Sequence, residues 1–129
     1  MTEKAVVRTE AAPAPFAGAP YSQAIRLGEL LFVAGQIPLD PATGKLVEGG
    51  IGEQTHQVFA NIAAILEAAG SSLDNLLKTT VFLVSLDDFA GMNEVYGQYA
   101  GDRPPARSTV EVSRLPAGAL VEIEVVASV

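Results

Sequence analysis

The sequence has no cysteine and only one histidine, so it lacks the side chains that build most structural metal sites. The absence of cysteine excludes disulfide bonds and thiolate metal ligands. His56 has no second histidine or cysteine to complete an ordinary zinc site, and we expect it to be solvated or hydrogen-bonded locally. No metal site is therefore predicted.

Basic residues are also scarce, with 8 Lys and Arg against 15 Asp and Glu, which gives a net charge of −7. Binding to a nucleic-acid backbone requires a basic surface, so the charge argues against a nucleic-acid partner and against an anionic membrane surface. No apolar run approaches the length of a membrane span, and residues 1–10 lack the apolar core of a signal peptide. We expect a soluble cytoplasmic protein that can still bind small anions at a local arginine.

Hydrophobic residues make up 49% of the 129 residues, enough for the core of one domain spanning residues 1–129. Helical spacing of apolar side chains predicts helices over 53–69 and from Asp87 or Asp88 onward, whereas the glycine-rich residues 49–52 are expected to form a loop. Period-two alternation or continuous β-branched character predicts strands at 5–9, 21–26, 30–34, 77–85, 108–113 and 120–126. This order predicts an α+β fold with both helices on one sheet face, and a ferredoxin-like arrangement is also compatible with it.

The last two predicted strands alternate between apolar and polar side chains. We expect their polar side chains to form one sheet face that a monomer leaves uncovered: Thr109, Glu111, Ser113, Glu122 and Glu124. Arg107 enters the first of these strands directly after a stiff Pro-Pro-Ala segment, which constrains its backbone direction. An arginine fork can bind a carboxylate through two hydrogen bonds, and a glutamate across a pocket can orient or deprotonate water. The same pattern is also typical of solvated charges on an open face, which is the more frequent case.

The second predicted helix carries an aromatic stripe on one face, at spacings of three, four and three residues: Phe89, Met92, Tyr96 and Tyr99. We expect this stripe to pack against the sheet as part of the core. Asn93 lies next to it and is available for another role.

Several segments, in order from about Ala11 to Val129, resemble the RidA (YjgF-type) family. Its C-terminal signature is similar to Pro105-Ala106-Arg107-Ser108-Thr109-Val110-Glu111-Val112, followed by Leu115-Pro116 and Val121-Glu122-Ile123-Glu124. Four further segments also match, namely Ala19-Pro20-Tyr21-Ser22-Gln23-Ala24, Val33-Ala34-Gly35-Gln36-Ile37-Pro38, Lys78-Thr79-Thr80-Val81-Phe82-Leu83 and Asp88-Phe89-Ala90-Gly91-Met92-Asn93.

The resemblance implies a chorismate-mutase-like fold, in which a mixed β-sheet is covered on one face by two helices. It also implies a homotrimer whose sheets face inward, with a cleft at each subunit boundary. The implied reaction is hydrolysis of reactive 2-imino acids and their enamine tautomers, such as 2-iminobutyrate and 2-iminopropionate. The products are a 2-keto acid and ammonia, and the resemblance implies no cofactor.

The resemblance assigns a role to six residues. Arg107 would bind the substrate carboxylate, the backbone N–H of Thr109 would be a second donor to it, and Glu122 would orient water or transfer protons. Tyr21, Asn93 and the backbone of Gly35 would line the pocket. We expect Arg107 and Glu122 to come from one subunit and part of the Tyr21 and Gly35 lining from the next.

Two positions depart from many relatives, and several alternatives stay open. Thr109 replaces a cysteine, which removes any thiol chemistry, and Ala34 replaces a serine, which removes a hydroxyl contact. Glu122 could instead be an interface residue and Tyr21 a packing residue. The protein could also be a small-acid-binding regulatory trimer or a specialised catabolic enamine deaminase. Ribonuclease-like activity, attributed to some relatives, is disfavoured by the acidic charge.

Overall fold

The computed structural model describes residues 3–129, which form a six-stranded mixed sheet with two helices on one face. The predicted fold is thereby confirmed. Its strands are β1 (Ala5–Val7), β2 (Ala24–Leu27), β3 (Leu30–Gln36), β4 (Leu76–Leu83), β5 (Ala106–Glu111) and β6 (Val121–Ser128). Its helices are α1 (Ile51–Ala68) and α2 (Phe89–Ala100).

The strands lie in the order β1-β2-β3-β6-β4-β5, and every neighbouring pair is antiparallel except β4 and β5. A parallel pair requires a crossover connection, which α2 provides between β4 and β5. Because β4 lies between β5 and β6, the strands that carry Arg107 and Glu122 are not neighbours. β5 is an edge strand with a partner on one side only.

The helix α1 begins two residues earlier than predicted, because Ile51 and Gly52 are helical and do not belong to a loop. The glutamate at the third helical position accounts for this start, since Glu53 Oε1 accepts a hydrogen bond of 2.8 Å from the Gly50 N–H. The first turn also packs closely on α2: a Cβ added to Gly91 would lie 2.7 Å from Ile51 Cγ2. Neither helix within residues 3–129 is long and apolar enough to cross a membrane.

The core lies between the helices and one face of the sheet, which we call the helix face. α1 contributes a row of five fully buried side chains: Val58, Phe59, Ile62, Ile65 and Leu66. The strands contribute Leu31, Val81, Leu83, Val121, Ile123 and Ala127, all without solvent exposure. The other side of the sheet, which we call the open face, has no covering layer within residues 3–129.

The strand register shows that the predicted single polar face is wrong. Val81 pairs with both Thr109 and Ile123, which places Thr109 on the helix face. Phe82 pairs with Glu122, and Thr80 with Glu124, on the open face. Glu111 lies on the helix face with Thr109, and Ser113 lies beyond the end of β5. The reason is that β5 is an edge strand whose helix-face side chains are only partly covered, so polar side chains are tolerated there.

The open face is more apolar than the alternation alone suggests. Side chains that are 41–54% exposed lie on it at both ends of the sheet: Val6, Leu27, Leu30, Phe32 and Val110. Glu122 and Glu124 lie between these two groups. Several large exposed apolar side chains on one face are typical of an interaction surface.

Candidate functional site

Arg107, near the start of β5, lies against two aromatic rings of α2. Its guanidinium carbon is 4.6 Å from the Tyr96 ring centroid and 5.5 Å from that of Phe89, within the range of a cation–π interaction. No carboxylate in residues 3–129 forms an ion pair with this guanidinium. Its charged N–H groups are therefore available to a ligand.

The aromatic stripe of α2 is divided between the core and the surroundings of Arg107. Met92 and Tyr96 are buried, as predicted, but Phe89 is 39% exposed beside Arg107. Asn93 is four residues after Phe89 and three before Tyr96, so all three are neighbours on the helix surface. Tyr99, one turn further on, accepts or donates a 2.7 Å hydrogen bond with His56 Nδ1, which is the local bonding expected of that histidine.

Thr109 lies two residues after Arg107 on the same face, and its backbone N–H points to the free edge of the sheet. Val112 N–H donates to Leu83 O at 2.8 Å, and the N–H directions alternate along a strand. The N–H of Thr109, three residues earlier, is thus directed away from β4. The Oγ1 of Thr109 is buried without a hydrogen-bond partner in the described chain. Arg107, Thr109 and Asn93 form what we call the helix-face half-site.

Glu122 lies on the open face against Gly35 of the neighbouring strand. The register of β3 with β6 shifts between Val33 and Gln36, so Gly35 is in an irregular part of the strand. A Cβ on Gly35 would lie 2.9 Å from Glu122 Cδ, a distance that real side chains do not adopt. Glycine is therefore required for the carboxylate to lie where it does.

The environment of Glu122 makes its carboxyl a weaker acid than an exposed glutamate. Partial burial raises its pKa above 4.5, and the negative charge of Glu124, two residues along the same face, raises it further. A carboxyl whose pKa is moved toward neutrality is suited to accepting and returning a proton.

Tyr21 lies in the loop before β2 and lines one small cavity together with Gly35. Its side chain is 44% exposed, and its hydroxyl oxygen accepts a hydrogen bond from the Phe16 N–H. The hydroxyl hydrogen of Tyr21 is thus free to be donated elsewhere. Tyr21, Gly35 and Glu122 form what we call the open-face half-site.

Gln23, which the sequence analysis did not single out, holds residues 8–15, which we call the N-terminal arm, beside this half-site. Its buried amide donates to the carbonyls of Thr9, Ala12 and Pro13 at 2.8–3.2 Å and accepts from the Thr9 N–H at 2.7 Å. The signal was its position two residues after Tyr21, within one of the recognised segments. The sequence pattern does not reveal these contacts, because the partners of Gln23 are ten or more residues away in the chain.

The six predicted site residues thus fall into two groups. Arg107, Thr109 and Asn93 are on the helix side of the sheet. Glu122 lies on the open face beside Gly35, and Tyr21 is in the loop that lines a small cavity with Gly35. A cavity of about 610 Å³ lies between β1, the N-terminal arm and Tyr21, but neither Arg107 nor Glu122 lines it. Among residues 3–129 there is no group of three His, Cys, Asp or Glu side chains placed to hold a metal ion. Within the described residues, Arg107 and Glu122 therefore do not face one common pocket.

Comparisons with known proteins match almost the whole chain. Residues 9–129 match the family described as Endoribonuclease L-PSP. A RutC family protein of Pyrococcus horikoshii is 58% identical over 124 residues, which cover 96% of this chain and 97% of that one. The human 2-iminobutanoate/2-iminopropanoate deaminase is 45% identical over 116 residues, covering 90% of this chain and 85% of that one.

Solved structures agree with the sequence matches. The crystal structure of RidA from the Antarctic bacterium Psychrobacter is 43% identical, with a TM-score of 0.91 and coverage of 97% of this chain and 99% of that one. The crystal structure of Escherichia coli TdcF with bound serine is 38% identical, with a TM-score of 0.91 and coverage of 97% and 98%. The sheet and both helices are therefore shared with these proteins.

Proposed function

Because this chain belongs to the RidA (YjgF-type) family, we propose that it hydrolyses reactive 2-imino acids, such as 2-iminobutyrate and 2-iminopropionate, to 2-keto acids and ammonia. The observation that carries the proposal is the unpaired guanidinium of Arg107, held against two aromatic rings at the edge of the sheet. A human relative at 45% identity carries the name of this activity.

The substrate carboxylate would be bound by the helix-face half-site. Arg107 can donate two parallel hydrogen bonds to it and supplies the opposite charge. The edge-directed N–H of Thr109 is placed on the same side and adds a neutral donor. Asn93 would contact the ligand from α2. This geometry fixes the orientation of the reacting carbon relative to the carboxylate.

The chemical step needs a positioned water and a proton carrier. The C=N carbon is already electrophilic, so water adds to it, and a proton passes from the water oxygen to nitrogen. The remaining hydroxyl proton of this carbinolamine then passes to the amino nitrogen, the C–N bond breaks as the carbonyl forms, and ammonia leaves. Glu122 would accept the proton from water and return it to the departing nitrogen, while the free hydroxyl hydrogen of Tyr21 would bind the substrate or the water.

We propose that the two half-sites meet between copies of the chain in a homotrimer. The open faces would pack inward and cover the exposed apolar side chains of the open face. The open-face half-site of one copy would then face the helix-face half-site of the next. This division replaces the expectation that one subunit supplies both Arg107 and Glu122, because within one chain the two side chains leave the sheet on opposite sides.

The test is hydrolysis of imines that an amino-acid oxidase generates in situ. Semicarbazide traps the imine that has not been hydrolysed, and the amount of trapped product is the readout. The protein should lower the trapped fraction for 2-aminobutyrate and alanine as precursors, and the Arg107→Ala variant should not. Binding of 2-ketobutyrate without any acceleration of hydrolysis would refute the deaminase and favour the regulatory, acid-binding alternative.

A further inference from the structure

Two aromatic side chains surround Arg107, and they differ in how firmly they are held. The Tyr96 ring is 4.6 Å from the guanidinium carbon and is almost wholly buried, whereas the Phe89 ring is 5.5 Å away and partly exposed. Neither ring is placed there by a polar contact with Arg107. Both present a face to the cation, within the distance at which the ring quadrupole attracts it.

Tyr96 is locked by the strand next to Arg107. Its hydroxyl forms a 2.7 Å hydrogen bond with Thr79 Oγ1, and Thr79 has no solvent exposure. Thr79 is also the residue of β4 that pairs with Arg107 in the sheet register. The ring of Phe59 packs edge-on against Tyr96 at 5.4 Å. The Tyr96 ring is therefore held from the core side by a hydrogen bond and an aromatic contact.

This arrangement lowers the entropic cost of binding a carboxylate with an arginine side chain. A free arginine side chain loses conformational entropy when it is immobilised by a bound carboxylate. Aromatic faces restrain the guanidinium before binding and accept none of its in-plane hydrogen bonds, so the donor fork is left for the ligand.

We propose that Phe89 and Tyr96 are positioning residues that hold the guanidinium of Arg107 ready for a carboxylate, with Thr79 locking Tyr96 in place. We call this group the aromatic platform. The inference rests on the proposed function of Arg107, and it concerns the orientation of this side chain before the ligand arrives. Its action is on binding, so it changes KM and the dissociation constant more than kcat.

The exposed member offers the cleaner test, since replacing Phe89 leaves the core intact. Phe89→Leu keeps an apolar side chain but removes the ring face, and Phe89→Tyr keeps the ring. We expect Phe89→Leu to raise KM for 2-iminobutyrate and the Kd of 2-ketobutyrate by about three- to tenfold, as expected for one lost cation–π contact. We expect kcat to change less than about twofold, and Phe89→Tyr to behave as the unaltered protein. Unchanged affinity in Phe89→Leu, or equal losses in both variants, would overturn the proposal.

The buried member is tested with Thr79→Val, which removes the hydroxyl at constant volume, and Thr79→Ser, which retains it. We expect Thr79→Val to weaken 2-ketobutyrate binding by about two- to fivefold and Thr79→Ser to restore it. Both variants are compared by thermal unfolding. A lower Tm with unchanged affinity in Thr79→Val would show that the Thr79–Tyr96 pair only stabilises the core and would overturn its role in positioning.

A measurement on the ligand-free protein separates failure of the platform from failure of the proposed function. Protons of the Arg107 side chain should show upfield ring-current shifts in NMR spectra, and Phe89→Leu should reduce them. If those shifts are present but no imine is hydrolysed, the proposed function fails and the platform stands. If the Arg107 signals have random-coil shifts in the unaltered protein, the platform is refuted whatever the activity.

Discussion

Gly35 and Glu122 lie against each other on adjacent strands, β3 and β6, with the carboxylate occupying the space that a Cβ on Gly35 would require. The two residues are 87 positions apart in the chain, as their numbers show. The contact involves the far end of a flexible side chain, so an added methyl group can be accommodated by moving the carboxylate. Gly35 thus controls the position of Glu122 at little cost to the fold.

Gly35→Ala is therefore expected to lower kcat for imine hydrolysis by at least about tenfold, since a misplaced general base loses most of its contribution. Its melting temperature should stay close to that of the unaltered protein. Binding of 2-ketobutyrate should also persist, because the substitution leaves Arg107 and the Thr109 N–H, the proposed donors to its carboxylate, in place. Gly52→Ala is a suitable control, since its added Cβ would have only an ordinary contact with Val95 at 3.9 Å. Full activity in Gly35→Ala would dissociate Glu122 from the chemistry.

Arg107→Ala should reduce kcat/KM by roughly 30- to several-thousand-fold, because the substrate carboxylate loses its charged partner, at a cost of about 2–5 kcal/mol. Arg107→Lys should recover only part of this, since an ammonium group cannot make the bidentate contact. Steady-state kinetics on 2-iminobutyrate measure both. Near-normal efficiency of Arg107→Ala would reject the assignment of the carboxylate site.

The pH dependence follows from the environment of Glu122. Because burial and Glu124 raise its pKa, the acidic limb of kcat/KM should lie above pH 4.5, and Glu124→Gln should move it to lower pH. Glu122→Gln should lower kcat more than tenfold without abolishing 2-ketobutyrate binding. The pKa of Glu122 is also higher in the folded chain than in the unfolded chain. Its contribution to the free energy of unfolding is therefore fully present below pH 4.5 and is lost as the pH rises through the folded-state pKa. An acidic limb that persists unchanged in Glu122→Gln would rule out Glu122 as the titrating group.

The proposed trimer would be held together through the open face, where Phe32 is 45% exposed. Phe32→Asp places a charge in a surface that we propose to be buried between subunits, and we expect the trimer to dissociate. Leu86→Asp, at a position with 47% exposure outside the sheet, is the matched control and should stay trimeric. Light scattering gives the mass of each. A monomeric mass for the unaltered protein would reject the trimer.

Sharing of sites between copies can be measured by mixing two inactive variants. Arg107→Ala and Glu122→Gln are unfolded and refolded together in equal amounts. With random assortment in a cyclic trimer, roughly one site in four combines an intact Arg107 with an intact Glu122 of the neighbouring copy. Activity should return to about a quarter of the unmixed, unaltered protein. No recovery after demonstrated mixing would show that one chain supplies both residues.

Most secondary structure could be predicted from the sequence, because periodicity and turn residues are local properties. The hairpin of β2 and β3, the helix α1 and the strand β4 were predicted within a few residues of their observed ends. The start of α1 was missed, since it depends on Glu53 reaching back to Gly50 and on Gly91 admitting Ile51. The first of these contacts is local, but the second joins two helices.

By itself the sequence determined the family, the two helices, the alternating strands and the residue types that a carboxylate site needs, since each is written in short segments. Only the tertiary structure decided which residues share a side of the sheet. Thr109 and Glu122 are both polar residues of alternating strands, next to Val110 and Val121, yet they face opposite ways. Alternation sorts the side chains within one strand, but the partner strand determines which set meets the helices. The sheet order β6-β4-β5 therefore separates Arg107 from Glu122 and leaves each chain with two half-sites.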